Sequence, residues 1–487
     1  MKVTKIGYFS RQIKHTSMKI FHFIIAAILV LLTQLSLANE GHRIAIDIKG
    51  VSSGECYLAY HFGNRQYLQD TTNVNTEGRA VFEGSESLVP GIYLVVIDDE
   101  KNFEIIIDDN QYFSVQVDPN DMIGSAQFEN SPENEMFYSY IRFLGEKNTE
   151  RRLLEEELNQ PETEVVRQAA IREKLGVLDQ QVNEKQNQVI AADPGGLLAV
   201  IIKAQRDPEL PDPPLMPDGT PNREWMYQTY KNNFFNNIDF SDDRILQTPV
   251  YHSRLRTFFN NVLIQHPDSV IRAADRVVDK ARANREMFKY TVWFITNNSE
   301  SSPMMGMDAV FVHMVENYYM TDEVDWLDEE RKQRIINRAM EMKPLLLGKV
   351  APNITVYDPD GEPVVLHNIE AEYLVLYFWD SECGFCRQAT PHIKRAYERL
   401  KDEGVVVFSV NTETDRDKWL GVIADYQHDW IHVNDVRNRS GFRDKYAIYA
   451  IPQIFILDTD KRILAKDIGA EHVEQFIRHK MQLHSRQ

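Results

Sequence analysis

The feature that most constrains how this 487-residue chain folds is a pair of cysteines placed directly after a long apolar segment. That segment runs from Tyr373 to Trp379 and is continuous in apolar and aromatic side chains, as central strands of parallel sheets are. Cys383 and Cys386 follow, and apolar residues then recur at three- and four-residue steps, which is typical of a helix. Residues 404–410 read as a second buried strand. The order strand, Cys-x-x-Cys, helix, strand predicts a βαβ unit with two thiols at the start of its helix.

The spacing of the two cysteines predicts redox chemistry. Two intervening residues place both sulfurs on the first helical turn, where unpaired N–H groups and the positive dipole end stabilise a thiolate on Cys383. Cys383 is therefore the expected nucleophile, which attacks a substrate disulfide and forms a mixed disulfide. Cys386 lies one turn deeper and is the expected resolving cysteine, so that the pair closes into a redox disulfide. Pro452 stands directly before another apolar strand, and a cis bond there would lay the backbone of Ile451 beside Cys383 as a docking edge for substrate.

Other uses of two neighbouring cysteines fit this sequence less well. A zinc site needs four ligands, and only the two thiols and His392 lie close together. A peroxidatic cysteine needs a proline and a threonine just upstream, and residues 378–382 contain neither. A structural disulfide between Cys383 and Cys386 that never turns over stays open as an alternative. We expect no metal ion and no cofactor.

Composition limits the classes of partner. Lys and Arg total 54 against 73 Asp and Glu, a formal net charge of −19. Nucleic acids and anionic membrane surfaces attract basic proteins, so neither is an expected partner. The chain has three cysteines, too few for a disulfide scaffold of this length. The third, Cys56, lies in a predicted strand and is interpreted as a buried small apolar side chain.

Residues 1–38 have the pattern of a secretory signal peptide. A basic flank precedes the apolar run Phe23–Leu32, and small residues then lead to a predicted cleavage after Ala38. Met18 is an alternative start. About 12 apolar residues fall short of the roughly 20 that a membrane span needs, so we expect export to the periplasm without a stable membrane span. Cleavage would leave 49 basic against 73 acidic residues, a formal charge of −24.

The hydrophobic periodicity of the remaining chain changes twice and predicts a multidomain protein. Residues 39–122 contain short apolar runs separated by Gly, Ser, Asn and Pro, which predict a small antiparallel β sandwich. Residues 123–346 show helical spacing and predict an all-α domain. Residues 347–487 contain the βαβ unit and predict an α/β domain.

The last of these domains resembles the thioredoxin-fold domains of TlpA/ResA-type exported thiol–disulfide oxidoreductases. The resemblance covers residues 348–487, a little under a third of the chain. It implies a thioredoxin fold, Cys383 and Cys386 as the catalytic pair, Pro452 as the cis-proline, and substrate contacts from Ile451, Pro452 and Trp379. The motifs that carry it occur in the family's order and are Ala351–Pro352, Phe378–Trp379, Cys383–Cys386, Pro391 and Ile451–Pro452.

Upstream segments also resemble known domains. Residues 70–84 resemble a β domain of unknown function at the amino end of exported thioredoxin-like proteins. Residues 239–250 and 306–313 resemble a helical domain of unknown function that precedes thioredoxin domains in Bacteroidetes-type exported proteins. These resemblances imply an arrangement of domains and no chemistry.

The dithiol domain departs from the family pattern at three positions, and Phe385 between the cysteines bears on its redox role. Tyr377 stands where thioredoxins keep a buried Asp, and Ala389 stands where the TlpA/ResA type usually has a Glu. Both places therefore lack a general base for the resolving cysteine. Glu382 replaces the usual Trp, and its negative charge should oppose thiolate formation at the nucleophile. Phe385 in place of His argues against a strongly oxidising role.

The residues and the resemblance together predict an exported thiol–disulfide oxidoreductase of the reductase or isomerase kind. Its expected partners are envelope proteins that carry thiols or disulfides, and a redox donor in the envelope. The alternative hypothesis is a non-catalytic envelope binding protein that uses the thioredoxin fold as a scaffold.

Overall fold

The structure is a computed structural model that describes residues 41–98, 100–161, 164–437 and 439–484. The predicted signal peptide, residues 1–38, lies outside the described residues. The chain divides into two compact units, one ending at Arg256 and the other beginning at Thr257. None of the helices in the described parts of the chain combines the length and the apolar character needed to cross a bilayer.

The first unit contains strands followed by helices. Its strands are β1 (His42–Ile48), β2 (Glu55–Phe62), β3 (Arg65–Asn73), β4 (Arg79–Gly84), β5 (Gly91–Val96), β6 (Asn102–Ile107), β7 (Tyr112–Val117) and β8 (Gln127–Glu129). Its helices are α1 (Met122–Ser125), α2 (Pro132–Leu158), α3 (Val165–Ala192), α4 (Leu197–Gln205), α5 (Arg223–Asn233), a 3₁₀ turn (Asp243–Gln247) and α6 (Val250–Thr257), which ends at the division between the units.

The strands of the first unit form two four-stranded sheets, with the orders β4-β1-β7-β8 and β3-β2-β5-β6. The prediction of a purely antiparallel arrangement is wrong at one pair, because β1 and β7 run parallel, with Arg43 opposite Tyr112 and Ile48 opposite Val117. These two strands are joined through the five strands between them and not by a hairpin. Only a tight hairpin forces neighbouring strands to be antiparallel.

Two strands of this unit are absent from the sequence prediction. Strand β3 is mostly exposed and polar, so it has no hydrophobic alternation to detect. Strand β8 lies in the region predicted to be helical and pairs with β7. Long helices therefore begin at Pro132 and not at residue 123.

The second unit begins with helices and ends with an α/β segment. The helices are a π turn (Phe258–Val262), α7 (Pro267–Ala281), α8 (Arg285–Glu300), α9 (Asp308–Met314), a second π turn (Val315–Tyr319), α10 (Glu329–Met342) and a 3₁₀ turn (Lys343–Leu345). The following strands are β9 (Thr355–Tyr357), β10 (Pro363–Val365), β11 (Tyr373–Trp379), β12 (Val405–Asn411), β13 (Ile431–Asn434), β14 (Gln453–Leu457) and β15 (Ile463–Lys466). Between and after them come α11 (Gly384–Leu400), α12 (Arg416–Tyr426), α13 (Phe442–Lys445), α14 (Val473–His484) and 3₁₀ turns at Leu366–Asn368, Lys401–Glu403 and Ala470–His472.

These strands form one sheet in the order β10-β9-β13-β12-β11-β14-β15. Strands β11, β12 and β13 are parallel, and β14 lies antiparallel beside β11. Strand β11 is buried at all seven positions, and its alternate side chains belong to two separate hydrophobic cores. The two sets are Tyr373, Val375, Tyr377 and Trp379 on one face and Leu374, Leu376 and Phe378 on the other. The residues after Trp379 follow the carboxyl end of β11 and therefore lie at the carboxyl edge of the sheet. Ligand-binding and active sites of α/β proteins commonly lie at this edge.

Candidate active site

Helix α11 begins at the first cysteine. Cys383 is the residue that caps the helix, and its Sγ accepts a hydrogen bond from the backbone N–H of Cys386 at 3.1 Å. Its carbonyl oxygen accepts a bond from the N–H of Arg387 at 3.1 Å. Both cysteines are free thiols. The amide groups of the first helical turn therefore point at the sulfur of Cys383, the position in which a negative charge is most stabilised.

Cys386 has a different environment, although it is one turn away. Its side chain is 1% exposed. Burial raises the pKa of the Cys386 thiol to about 12, and the hydrogen bond with Cys383 acts in the same direction. A neutral Cys386 thiol can donate a hydrogen bond to the Cys383 sulfur, so this arrangement favours the charge on Cys383.

A backbone carbonyl completes the surroundings of the exposed sulfur. The Sγ atom of Cys383 lies 3.6 Å from the carbonyl oxygen of Ile451. The Ile451–Pro452 peptide bond is cis. Strand β14 begins one residue later and pairs Gln453 with Phe378 of β11, which places this loop at the same sheet edge as the cysteines.

Tyr377 lies beneath the resolving cysteine. Its hydroxyl is 3.3 Å from the carbonyl oxygen of Cys386 and 3.0 Å from Oγ1 of Thr390. The Thr390 hydroxyl also donates to the Cys386 carbonyl, at 2.8 Å. Burial raises the pKa of Tyr377, so this side chain is a neutral hydrogen-bonding group. It fixes the helix backbone at Cys386 and is not a carboxylate base.

A cation that no sequence pattern predicts faces Glu382. Lys418, on α12, forms an ion pair with the Glu382 carboxylate at 2.8 Å. The hydrogen bond from Lys418 is the main cause that lowers the pKa of Glu382. The charge that should oppose a thiolate on Cys383 is thus compensated by a neighbouring positive charge. The two residues are 36 positions apart in the chain, so local spacing carries no sign of their contact.

Asp380 is a second residue that sequence reasoning missed. Its carboxylate accepts hydrogen bonds from the N–H of Glu382 at 2.9 Å and from the hydroxyl of Thr412 at 3.1 Å. Its negative charge raises the pKa of Cys386, while a hydrogen bond from its backbone N–H lowers it. Asp380 therefore orders the loop between β11 and α11 and places an acidic group near the resolving thiol.

Two family models match the chain. Residues 347–466 match the AhpC/TSA family, and residues 42–137 match a domain of unknown function, DUF4369. Among curated proteins, the chain is similar to thiol-disulfide oxidoreductase ResA of a Bacillus cereus strain, with 23% identity over 135 residues, 28% of this chain and 77% of that protein. ResA of Bacillus anthracis is 25% identical over 148 residues, with the same shares. The carboxyl-terminal segment is a thioredoxin-like thiol–disulfide oxidoreductase domain.

Among solved structures, the thioredoxin-like domain is similar to a domain of a possible thiol-disulfide isomerase from Cytophaga hutchinsonii ATCC 33406. The two are 36% identical, with a TM-score of 0.28, and the match covers 30% of this chain and 99% of that one. A thioredoxin-like protein from Bacteroides caccae ATCC 43185 is 18% identical, with a TM-score of 0.45, covering 56% of this chain and 99% of that one. The predictions of a multidomain chain, a thioredoxin-like domain at its carboxyl end, and oxidoreductase activity are confirmed.

Trp379, a predicted substrate contact, has a buried side chain in this structure. Trp379 is 3% exposed and belongs to the core of the thioredoxin-like domain. Its indole stacks on Tyr377 with ring centroids 6.3 Å apart and lies 6.0 Å from the ring of Tyr426. As the last residue of a strand covered on both faces, Trp379 packs inward.

An open groove lies beside the dithiol of the thioredoxin-like domain. Its walls include Phe385, which is 74% exposed, together with His392, Pro452 and Gly469. In residues 41–98, 100–161, 164–437 and 439–484, no group of three or more His, Cys, Asp or Glu side chains is arranged to hold a metal ion. The site is therefore a surface groove next to one accessible sulfur, with a second sulfur buried behind it.

Proposed function

We propose that this protein is an exported dithiol enzyme that reduces or isomerises disulfides of proteins in the cell envelope, with Cys383 as nucleophile and Cys386 as resolving cysteine. The observation that carries the proposal is the asymmetry of the pair. Cys383 caps α11 and lies next to the Ile451 carbonyl, whereas Cys386 is buried with a raised pKa. One sulfur is placed to react with a partner and the other to react only with the first.

The reaction proceeds in two exchange steps. The Cys383 thiolate attacks one sulfur of the substrate disulfide, the substrate S–S bond breaks, and the other substrate sulfur leaves as a thiolate that takes up a proton. Cys386 then loses its proton and attacks Sγ of Cys383. The mixed disulfide breaks, the second substrate thiolate leaves, and a Cys383–Cys386 disulfide remains. Two electrons have passed to the substrate, and thiols of an envelope donor return them to the enzyme.

The environment of Cys386 favours a reductase or isomerase over an oxidant. With a pKa of about 12, the buried thiol is neutral at pH 7, and its proton must leave before the second step. A slow second step lengthens the life of the mixed disulfide, and that lifetime allows substrate thiols to exchange partners. The Lys418 ammonium supports the first step, because it compensates the charge of Glu382 beside the nucleophile.

The Ile451 carbonyl supports the docking role of the cis-proline loop. A substrate strand beside residues 451–453 could donate a backbone N–H to this oxygen, and strand-like docking of this kind binds many sequences through the main chain. Pro452 has no backbone N–H, so it adds no donor of its own that would compete with the substrate N–H at this position. Ile451 and Pro452 are therefore the proposed substrate-binding residues.

We also propose that the chain is cleaved after Ala38 and is periplasmic. The mature chain then consists of three domains, residues 39–122, 123–346 and 347–487. Two four-stranded sheets support a β sandwich in the first, and helices α2 to α10 support a largely helical second domain. Strand β8 pairs with β7, so the helical domain is expected to start after residue 129.

A trapping experiment tests the proposed function. Cys386→Ser removes the resolving sulfur, so full-length protein expressed with its leader should accumulate mixed disulfides with envelope proteins through Cys383. These adducts should appear on non-reducing gels and disappear with dithiothreitol. The matched control is Cys383→Ser/Cys386→Ser, which should trap nothing. If the single variant also traps nothing and the parent protein fails to reduce insulin, the protein is a binding module and the proposal is wrong.

A further inference from the structure

An exposed tyrosine precedes the loop residue that contacts the dithiol, and its side-chain partners come from the helix before the thioredoxin-like domain. Tyr449 lies two residues before Ile451, whose carbonyl contacts Cys383. Its hydroxyl donates a hydrogen bond to Glu341, and the guanidinium of Arg338 lies 4.8 Å from its ring centroid. Both partners belong to α10, which precedes the residues 347–466 that match the family model.

The helices that hold this tyrosine are themselves tied to the sheet. Arg338 also pairs with Glu300 of α8 at 3.9 Å. On the other side of the sheet edge, Lys466 of β15 forms a buried ion pair with Asp308 of α9. An ion pair shielded from water is screened less than an exposed one, so the Lys466–Asp308 pair holds α9 against β15.

Despite these contacts, the ring of Tyr449 remains available. The side chain is 68% exposed, although its hydroxyl and one face are engaged. The second large exposed ring near the nucleophile is Phe385, 74% exposed, between the two cysteines. Aromatic side chains held in place give large contact energy at low entropic cost, which is why they are enriched at recognition surfaces.

Two exposed rings, one between the cysteines and one two residues before the docking carbonyl, suit a particular kind of substrate. A polypeptide that docks in extended form beside Ile451 places side chains on both sides of its cysteine. Tyr449 precedes the docking carbonyl along the chain, and Phe385 belongs to the dithiol helix. A small disulfide that is not a polypeptide cannot dock as a strand beside Ile451.

We propose that Tyr449 is a specificity residue that contacts the polypeptide substrate, with Arg338 and Glu341 as the residues that position it. The selected substrates are extended polypeptides with apolar or aromatic side chains flanking the reacting cysteine. This inference rests on the proposed function and deepens it. The helical segment before the thioredoxin-like domain then takes part in substrate selection, because Arg338 and Glu341 belong to it and position Tyr449.

The test compares three disulfides with the full-length protein. The first is a decapeptide joined through its cysteine to a second copy, with phenylalanine on both sides of that cysteine. The second is the same peptide with serine in place of phenylalanine, and the third is 5,5′-dithiobis(2-nitrobenzoate). Tyr449→Ala should raise KM for the phenylalanine peptide roughly fivefold to tenfold, with kcat unchanged. The rates with the other two disulfides should stay the same.

Further variants separate positioning from contact. Glu341→Ala and Tyr449→Phe remove the same hydrogen bond, so each should raise KM about twofold to threefold, and combining them should add little. Arg338→Ala should act in the same direction. The matched control is Arg334→Ala, which removes an arginine from the exposed face of the same helix, where it pairs with Glu330, and should change nothing.

Two results would overturn the inference. Equal losses with all three disulfides would show that Tyr449 only supports the shape of the site, and unchanged KM for the phenylalanine peptide would show that it makes no contact. Failure of the parent protein with every disulfide would instead reject the proposed function. Binding of the phenylalanine peptide with serine at the cysteine position would then still decide the contact, since Tyr449→Ala should weaken it by the same factor.

Discussion

Cys56 and Cys386 are both buried thiols, yet only one of them belongs to a site. Cys56 is 0% exposed in strand β2, and Cys386 is 1% exposed in helix α11. Burial raises the pKa of each to about 12. What distinguishes Cys386 is a second sulfur, that of Cys383, at the start of the same helix. A buried thiol alone is unreactive, whereas a buried thiol beside an activated sulfur can react with that sulfur.

The two surroundings also differ in what lies next to the backbone. Cys56 stands opposite Thr72 in the antiparallel pairing of β2 with β3. The carbonyl of Cys386 accepts hydrogen bonds from Thr390 and Tyr377, whose hydroxyl groups are buried. These contacts hold the first turn of α11 in place around the dithiol.

Replacing the exposed sulfur should have the largest effect. We expect Cys383→Ser to lower the rate of insulin reduction at least about a thousandfold, because a nucleophile that reacts through its thiolate is lost. The comparison variant Cys56→Ala should keep the parent rate. Turbidity of precipitating insulin chains measures both. A large loss in Cys56→Ala would break the distinction between the two buried cysteines.

The raised pKa of Cys386 predicts a steep pH dependence for the second step. Reaction with 5,5′-dithiobis(2-nitrobenzoate) forms a mixed disulfide on Cys383, and attack by Cys386 then releases a second thionitrobenzoate. A thiol with a pKa of about 12 is mostly protonated below that pH, so its thiolate fraction rises about tenfold for each pH unit. We expect the second release to accelerate in this way between pH 6 and pH 9.

Stopped-flow absorbance at 412 nm follows that release. In Cys386→Ser the second release should vanish at every pH, which identifies the phase. A plateau below pH 9 in the parent protein would mean that a base deprotonates Cys386 early, and Asp380→Asn would then show whether that base is Asp380.

Stability changes should mark Cys56 as a core residue. Cys56→Ser puts a more polar hydroxyl in a fully buried position, and we expect the local free energy of unfolding to fall by about 1 to 3 kcal/mol. Hydrogen exchange at amides of β2 and β5 measures this for the first unit without assuming a single transition. Cys56→Ala should cost less than Cys56→Ser. The reverse order would indicate that the serine hydroxyl keeps the hydrogen bond that the Tyr57 backbone makes with the Cys56 sulfur.

The smallest predicted effect concerns the charge beside the nucleophile. Lys418→Ala leaves Glu382 unpaired, and at low ionic strength we expect alkylation of Cys383 by iodoacetamide at pH 7 to slow about twofold. Adding 0.5 M NaCl should remove most of the difference, because exposed charges are screened. Lys394→Ala, which breaks the Lys394–Glu398 pair on α11, is the matched control and should leave the rate unchanged. Faster alkylation in Lys418→Ala would contradict the compensating role.

Local patterns were enough to predict the core of the site. The apolar run of β11, the cysteine spacing and the proline before β14 each belong to one short segment, and each has one main structural outcome. Strand β3 was missed because an exposed strand carries no hydrophobic alternation. The burial of Trp379 was not predicted, because a residue type at a strand end does not tell which way its side chain points.

The sequence by itself therefore determined the chemistry, since a helix dipole and two sulfurs on one turn depend on neighbouring residues only. Tertiary structure decided the electrostatic and recognition features of the site. The Glu382–Lys418 pair joins residues 36 positions apart, and the Glu341–Tyr449 bond joins residues 108 positions apart. Contacts over such separations depend on how helices pack against the sheet, and packing is a property of the whole fold that no local pattern encodes.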